Sequence, residues 1–81
     1  MAATFTATQG QYLTFIYHYH YTKLNRRPPA QTDIQRFFGV SPPSVHNMLL
    51  TLERKGLLAR TPGQPRSIEV LVDRSELPYL D

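Results

Sequence analysis

The stretch Ser41-Pro42-Pro43-Ser44-Val45-His46-Asn47 gathers side chains that can read the edge of a nucleic-acid base. The amide of Asn47 offers a donor beside an acceptor and can pair bidentately with adenine. His46 and Ser44 can each donate or accept, and Pro43 offers apolar contact to a thymine methyl. Arg26, Arg27, Arg54, Arg60 and Arg66 lie around this stretch in sequence, and guanidinium groups match phosphate in charge and geometry. His18 and His20 invite a metal reading. On a helix, however, residues two apart point about 200° from each other. With no cysteine and no third ligand at useful spacing, no metal site is expected, and both histidines are read as core or surface residues. No GxSxG, P-loop or HExxH pattern is present, so neither catalytic residues, nor a cofactor, nor a small-molecule substrate is expected.

The charge distribution agrees with a polyanionic partner. Residues 24–60 carry a balance of +4 and residues 61–81 a balance of −2, within a net charge of +3. A basic central segment attracts nucleic acid, although a solvated surface explains the same charges about as well. The 81 residues make one small domain with a thin core and little room for an enclosed active site. A domain without cysteine suits a reducing cytoplasm. No basic region followed by an apolar run opens the chain, so no secretory signal is expected, and no apolar stretch is long enough to span a membrane.

The elements that must position these side chains follow from periodicity and punctuation. Thr6 with Gln9 makes a capping-box pattern. Tyr12, Leu13, Ile16, Tyr19 and His20 then recur at helical spacing, with Gly10 weakening the helix by about 1 kcal/mol relative to alanine. The run Tyr17 to Tyr21 would also alternate cleanly as a strand, but no turn signal separates it from the helix before it. Arg26-Arg27-Pro28-Pro29 reads as an extended connector. Gln31–Phe38 reads as a second helix that buries Ile34, Phe37 and Phe38, and Gly39 stops it. Ser41 is placed to cap a third helix with Pro42 at its first position. That helix ends at Gly56, with Arg54-Lys55 in its last turn. Residues 57–60 and 67–72 flank a Pro62-Gly63 turn and read as a hairpin, with Ile68, Val70 and Val72 on one face. The order predicts an α+β winged helix-turn-helix: three helices, then a two-stranded β-hairpin wing, with a short extra strand between helices as an option. Residues 1–72 are the expected domain, and residues 73–81 an acidic C-terminal tail.

The segment Pro29 to Val45, with Leu52-Glu53-Arg54-Lys55-Gly56-Leu57-Leu58, Pro62-Gly63 and Arg66-Ser67-Ile68-Glu69-Val70, resembles the N-terminal DNA-binding domain of the LexA repressor family. The likeness runs from about Phe5 to Val72. Its strongest part combines Gly39, Ser41-Pro42 and the Lys55-Gly56 helix stop. The resemblance implies a bacterial-type transcription regulator that binds double-stranded DNA. Two departures stand out. Ala30 replaces the family's usual Ser or Thr cap. The chain also ends where the family's self-cleaving domain would begin, so neither the Ser–Lys protease chemistry nor that domain's dimerisation surface is expected here, and no damage-response role is implied.

On a helical wheel, Val45, Met48, Leu49 and Leu52 of the third helix face the core, opposite Pro43, Asn47, Leu50 and Arg54, with Ser44 and His46 flanking. The N-terminal part of such a helix enters the major groove. This predicts base contacts from Pro43, Ser44, His46 and Asn47, and phosphate contacts from Arg26, Arg27, Ser41, Arg54, Arg60 and Arg66. The wing is expected on the backbone or in the minor groove. Leu50 reads equally as a DNA contact, a protein contact or an isolated exposed leucine. The competing functional reading is a winged-helix protein-interaction module that docks through Leu50, Met48 and the aromatic first helix. A single module buries little area on DNA. A homodimer or a larger regulatory partner is therefore expected, through Tyr17, Tyr19 and Tyr21 or through the tail Leu77-Pro78-Tyr79-Leu80, unless that tail folds back onto its own domain.

Overall fold

Thr6 and Gln9 start the first helix by exchanging bonds. The Gln9 amide N–H donates to Thr6 Oγ1 at 3.1 Å, and the Thr6 N–H donates to Gln9 Oε1 at 3.0 Å. This reciprocal cap satisfies two donors that the helix itself cannot. In the computed structural model, which describes residues 4–22, 28–64 and 67–80, helix α1 then runs over Ala7–Thr22. The aromatic run is therefore helical, not a strand. Tyr12, Leu13, Phe15 and Ile16 are buried, and so is Thr14. Burial raises the pKa of the Tyr12 hydroxyl above its ordinary value.

Gly10 has a purpose beyond its helix propensity. A Cβ at this position would sit 2.9 Å from the Phe5 ring and 3.0 Å from the Pro78 ring. Only glycine lets the chain's two ends close over α1. The last segment folds back across that helix. Thr14 Oγ1 donates to the Pro78 carbonyl and Gln11 Nε2 to the Tyr79 carbonyl, both at 2.9 Å. Leu77 and Leu80 pack against the core, while the Tyr79 ring remains 96% exposed. A single 3-10 turn, Arg74–Glu76, leads into this segment, capped by Asp73 Oδ1, which accepts from the Ser75 N–H at 2.9 Å.

Helix α2 covers Gln31–Phe38. Ala30 has no side chain with which to cap it, so half of a capping box remains: Asp33 Oδ2 accepts from the Ala30 N–H at 2.9 Å. Gly39 closes the helix at φ 65°, with its N–H on the Gln35 carbonyl. Ile34 is fully buried and Phe38 stacks on Tyr12 at 4.2 Å. The expectation that Phe37 joins them is corrected, for its ring is 47% exposed. Ile34 and Phe38, four apart, occupy the inward stripe. Phe37 lies at its edge and stacks on Phe15 with centroids 4.3 Å apart.

Helix α3 spans Pro42–Arg54, with Lys55 as its C-cap. Ser41 has cap backbone geometry, but its hydroxyl makes no capping bond; it pairs with Ser44 Oγ at 3.0 Å. The cap reading of that side chain is thus corrected, and the reason is local. An N-cap oxygen seeks the N–H of the second or third helical residue, and the second is Pro43, which has none. The C-terminus closes as a Schellman motif. Leu57 N–H reaches the Leu52 carbonyl at 2.9 Å and Gly56 N–H the Glu53 carbonyl at 3.0 Å, with Gly56 at φ 75°.

Strands β1 (Leu58–Ala59) and β2 (Glu69–Val70) pair antiparallel, Leu58 opposite Val70 and Ala59 opposite Glu69. Ile68 and Val72 are buried and Val70 packs on the core, as the alternation predicts. The strands are shorter than the expected arms because a side chain replaces the outer ladder. Ser67 Oγ accepts from the Thr61 N–H at 2.8 Å and donates to the Gln64 carbonyl at 2.9 Å. Gly63, at φ 81°, completes the Pro62-Gly63 turn. Among the described residues there is no third strand; the sheet is two-stranded.

Candidate nucleic-acid interface

Val45, Leu49 and Leu52 anchor α3, each fully buried. Their spacing of four and seven residues fixes one face inward and leaves the N-terminal half of the other face in solvent. Pro43, Ser44, His46 and Asn47 are all exposed there, and so are Ser41 and Pro42. The structure thus brings the four predicted base-contacting residues together on one exposed surface. Leu50, expected on the outward face, is only partly exposed, and Met48, expected in the core, is partly buried and packs against it. Thr51 Oγ1 donates back to the Asn47 carbonyl at 3.0 Å, so the Asn47 side-chain amide is not drawn into this bond.

The cations fall into three groups. Arg54 is exposed in the last turn of α3. Arg60 is engaged: its Nη2 lies 2.7 Å from Glu53 Oε1 and its Nε donates to the same oxygen at 2.8 Å. Arg26, Arg27 and Arg66 lie outside the described residues. Lys55, not among the expected phosphate contacts, donates to Gln9 Oε1 at 2.9 Å and so bridges the end of α3 to the start of α1.

A cleft of about 660 Å³ opens between the first turn of α2 and the wing. Ala30, Gln31 and Thr32 form one wall, Thr61 to Gln64 the other, and the Glu53–Arg60 pair and Ile68 also line it. The Gln31 and Thr32 N–H groups belong to a helix's first turn, where donors have no intrahelical acceptor. The sequence reading missed these two residues. Their signal was the Pro29-Ala30 helix start, which places a positive dipole end next to the wing.

His18 and His20 are taken up by neighbouring rings. His20 stacks on Tyr21 with centroids 4.3 Å apart, and His18 meets the Tyr17 ring edge-on at 6.0 Å. Among the described residues, no helix is long and apolar enough to cross a membrane.

Comparison with known proteins places this geometry. The family model for the LexA DNA binding domain matches residues 2–67. The LexA repressor of Exiguobacterium sibiricum is 42% identical over 55 residues, which cover 67% of this chain and 27% of that protein. The LexA repressor of Bacillus subtilis is 40% identical over 52 residues, 63% of this chain and 25% of the relative. That of Thermosipho melanesiensis is 37% identical over 71 residues, 88% and 34% respectively. The matched part of this chain thus spans about a quarter to a third of the length of these relatives.

Proposed function

This chain belongs to the LexA DNA-binding domain family, and we propose from that premise that it is a transcriptional regulator reading duplex DNA with α3 in the major groove. One observation carries the reading: Pro43, Ser44, His46 and Asn47 share the exposed, N-terminal part of a helix whose other face is fully buried. That is the part of a recognition helix that meets base edges. Asn47 is the principal reader, by bidentate pairing with adenine. Ser44 and His46 donate or accept beside it, and Pro43 packs on a thymine methyl.

Phosphate contacts come from Ser41 and Arg54, and from Arg26, Arg27 and Arg66. Arg60 adds a contact through Nη1 while Glu53 holds its other edge. The wing follows the backbone or enters the minor groove. The protein works in the cytoplasm, as one of two copies or beside a larger regulatory partner, because one module of this size covers few base pairs. No catalytic role is proposed.

Selection from random duplex DNA, followed by a salt titration on the selected site, tests the reading. An enriched motif and binding that weakens with salt support it. Enrichment of no motif, with salt-independent interaction, overturns it.

A further inference from the structure

We infer that Ser41, by engaging the Ser44 hydroxyl, makes Ser44 a pure hydrogen-bond acceptor on DNA, so that Ser44 selects a base carrying an exocyclic amine. The inference rests on the proposed function, in which Ser41 meets a phosphate and Ser44 a base edge. Pro43 lacks the N–H of the second helical position, one of the two that a capping hydroxyl ordinarily takes. Ser41 Oγ makes no capping bond and meets Ser44 Oγ at 3.0 Å instead. Both residues are exposed, and neither hydroxyl has another partner among the described residues.

Each serine hydroxyl has one hydrogen and two lone pairs. In the free protein the pair has two arrangements, since either oxygen can donate to the other. A phosphate removes that freedom. Its unesterified oxygens carry no hydrogen and only accept, so a Ser41 hydroxyl that binds one must donate to it. The hydrogen between the two serines then comes from Ser44. Donation to the phosphate also polarises Ser41 Oγ and strengthens it as the acceptor of that hydrogen. Ser44 Oγ is left with a lone pair, and no hydrogen, to offer a base. In the major groove cytosine presents its N4 amine and adenine its N6 amine, whereas guanine and thymine offer no donor. The base facing Ser44 is therefore adenine or cytosine. Against guanine or thymine, two acceptors meet with no hydrogen between them. A phosphate contact carries no sequence information directly; here it acts on sequence through the direction of one hydrogen bond.

Selection from random duplex DNA, run in parallel for the wild type, Ser44→Ala, Ser41→Ala and Ser41→Thr, tests this. Circular dichroism melts establish that each variant folds. The wild-type motif should hold one position that takes A or C on one strand and disfavours G or T by about two- to tenfold, the worth of one hydrogen bond. That position should lose its preference in Ser44→Ala. In Ser41→Ala the Ser44 hydrogen is free to point at the base, and the same position should take all four bases. Ser41→Thr keeps a hydroxyl and should keep the wild-type preference. A merely structural role of Ser41 would leave the base preference unmoved in every Ser41 variant. A Ser44-dependent position that prefers G or T overturns the inference. So does an A-or-C preference that survives Ser41→Ala, or a motif that Ser44→Ala leaves unchanged. Each of those results leaves the DNA reading standing. Enrichment of no motif by the wild type defeats that reading, and the inference with it.

Discussion

Arg60 Nη2 lies 2.7 Å from Glu53 Oε1, tying the base of the wing to the end of α3. The two side chains are only 19% and 30% exposed, so the pair is shielded from solvent more than an ordinary surface bridge. It places a carboxylate within the cleft between α2 and the wing. If α3 and the wing meet a duplex together, as proposed, the pair would fix their relative angle and favour discrimination over raw attraction to DNA.

Glu53→Gln separates these effects. The variant weakens the hold on the Arg60 guanidinium, leaving a neutral amide oxygen as acceptor, and removes a negative charge beside the proposed phosphate contacts. Non-specific affinity should rise and the salt dependence steepen by up to about one phosphate contact, while the gap between specific and non-specific binding narrows. The stability loss should be small, about 0.2–1 kcal/mol. Fluorescence anisotropy on cognate and scrambled duplexes at several salt concentrations reads both quantities. A wider specificity gap in the variant would refute the positioning role.

Gly10→Ala tests the closure of the chain ends over α1. In an isolated helix, alanine is favoured over glycine by about 1 kcal/mol. Here the new methyl would lie 2.9 Å from the Phe5 ring and 3.0 Å from the Pro78 ring, and overpacking of that kind costs about 1–3 kcal/mol. The crowding should win, so urea unfolding should show a net loss of stability. A second variant, Thr14→Val, removes the hydroxyl that holds the Pro78 carbonyl and should loosen the same segment, seen as faster amide exchange in residues 74–80.

Much of this architecture is written in local punctuation. Gly39, Pro42 and Gly56 bound α2 and α3 within a residue because each acts through its own backbone. The Thr6–Gln9 cap decides between helix and strand for the aromatic run that follows. What local pattern does not carry is settled by distant contacts. Phe37 and Phe38 look alike in sequence, and only the position of Tyr12 and Phe15 decides which is covered. The wing is short because the Ser67 hydroxyl takes bonds that a ladder would have used. Arg60 reads as one more free cation until Glu53, seven residues earlier, is seen to hold it. The exposed face of α3 was legible, since Val45, Leu49 and Leu52 fix it by periodicity alone.

Acid should loosen the tail through Asp73. The Ser75 backbone N–H and hydroxyl stabilise its carboxylate, holding the pKa below the ordinary value. A group with a depressed folded pKa adds stability that is complete above its unfolded pKa. That contribution fades as pH falls through the folded value. Amide exchange at Ser75 should therefore accelerate below the ordinary carboxylate range. In Asp73→Asn this pH dependence should be absent. An unchanged acid response in the variant would assign the effect to another carboxylate.

Arg54→Ala isolates a phosphate contact from a base contact. The side chain is exposed in the last turn of α3, with no part in the buried core. If it neutralises one phosphate, the slope of log affinity against log salt should shrink by about 0.9. The loss should be equal on cognate and scrambled duplexes, because phosphate carries no sequence information. A loss confined to the cognate site would make Arg54 a base reader.

Asn47→Ala tests the proposed reader itself. The residue is exposed one helical turn after Pro43, and Val45 and Leu49 on either side of it anchor the helix in the core. The Thr51 hydroxyl bonds to the Asn47 backbone carbonyl, not to its side chain, so the substitution leaves that contact in place. Folding stability should change by no more than about 0.5 kcal/mol. If the amide pairs with adenine, its loss should remove about 1–3 kcal/mol of discrimination at one base pair. Binding to other positions of the site should keep its preferences, and salt-sensitive non-specific binding should persist. Competition across a set of single-base operator variants gives the energy at each position for both proteins. A profile that flattens at one base pair assigns that pair to Asn47. A profile that keeps its full shape removes Asn47 as the reader and passes the role to His46 or Ser44, its neighbours on the same exposed face.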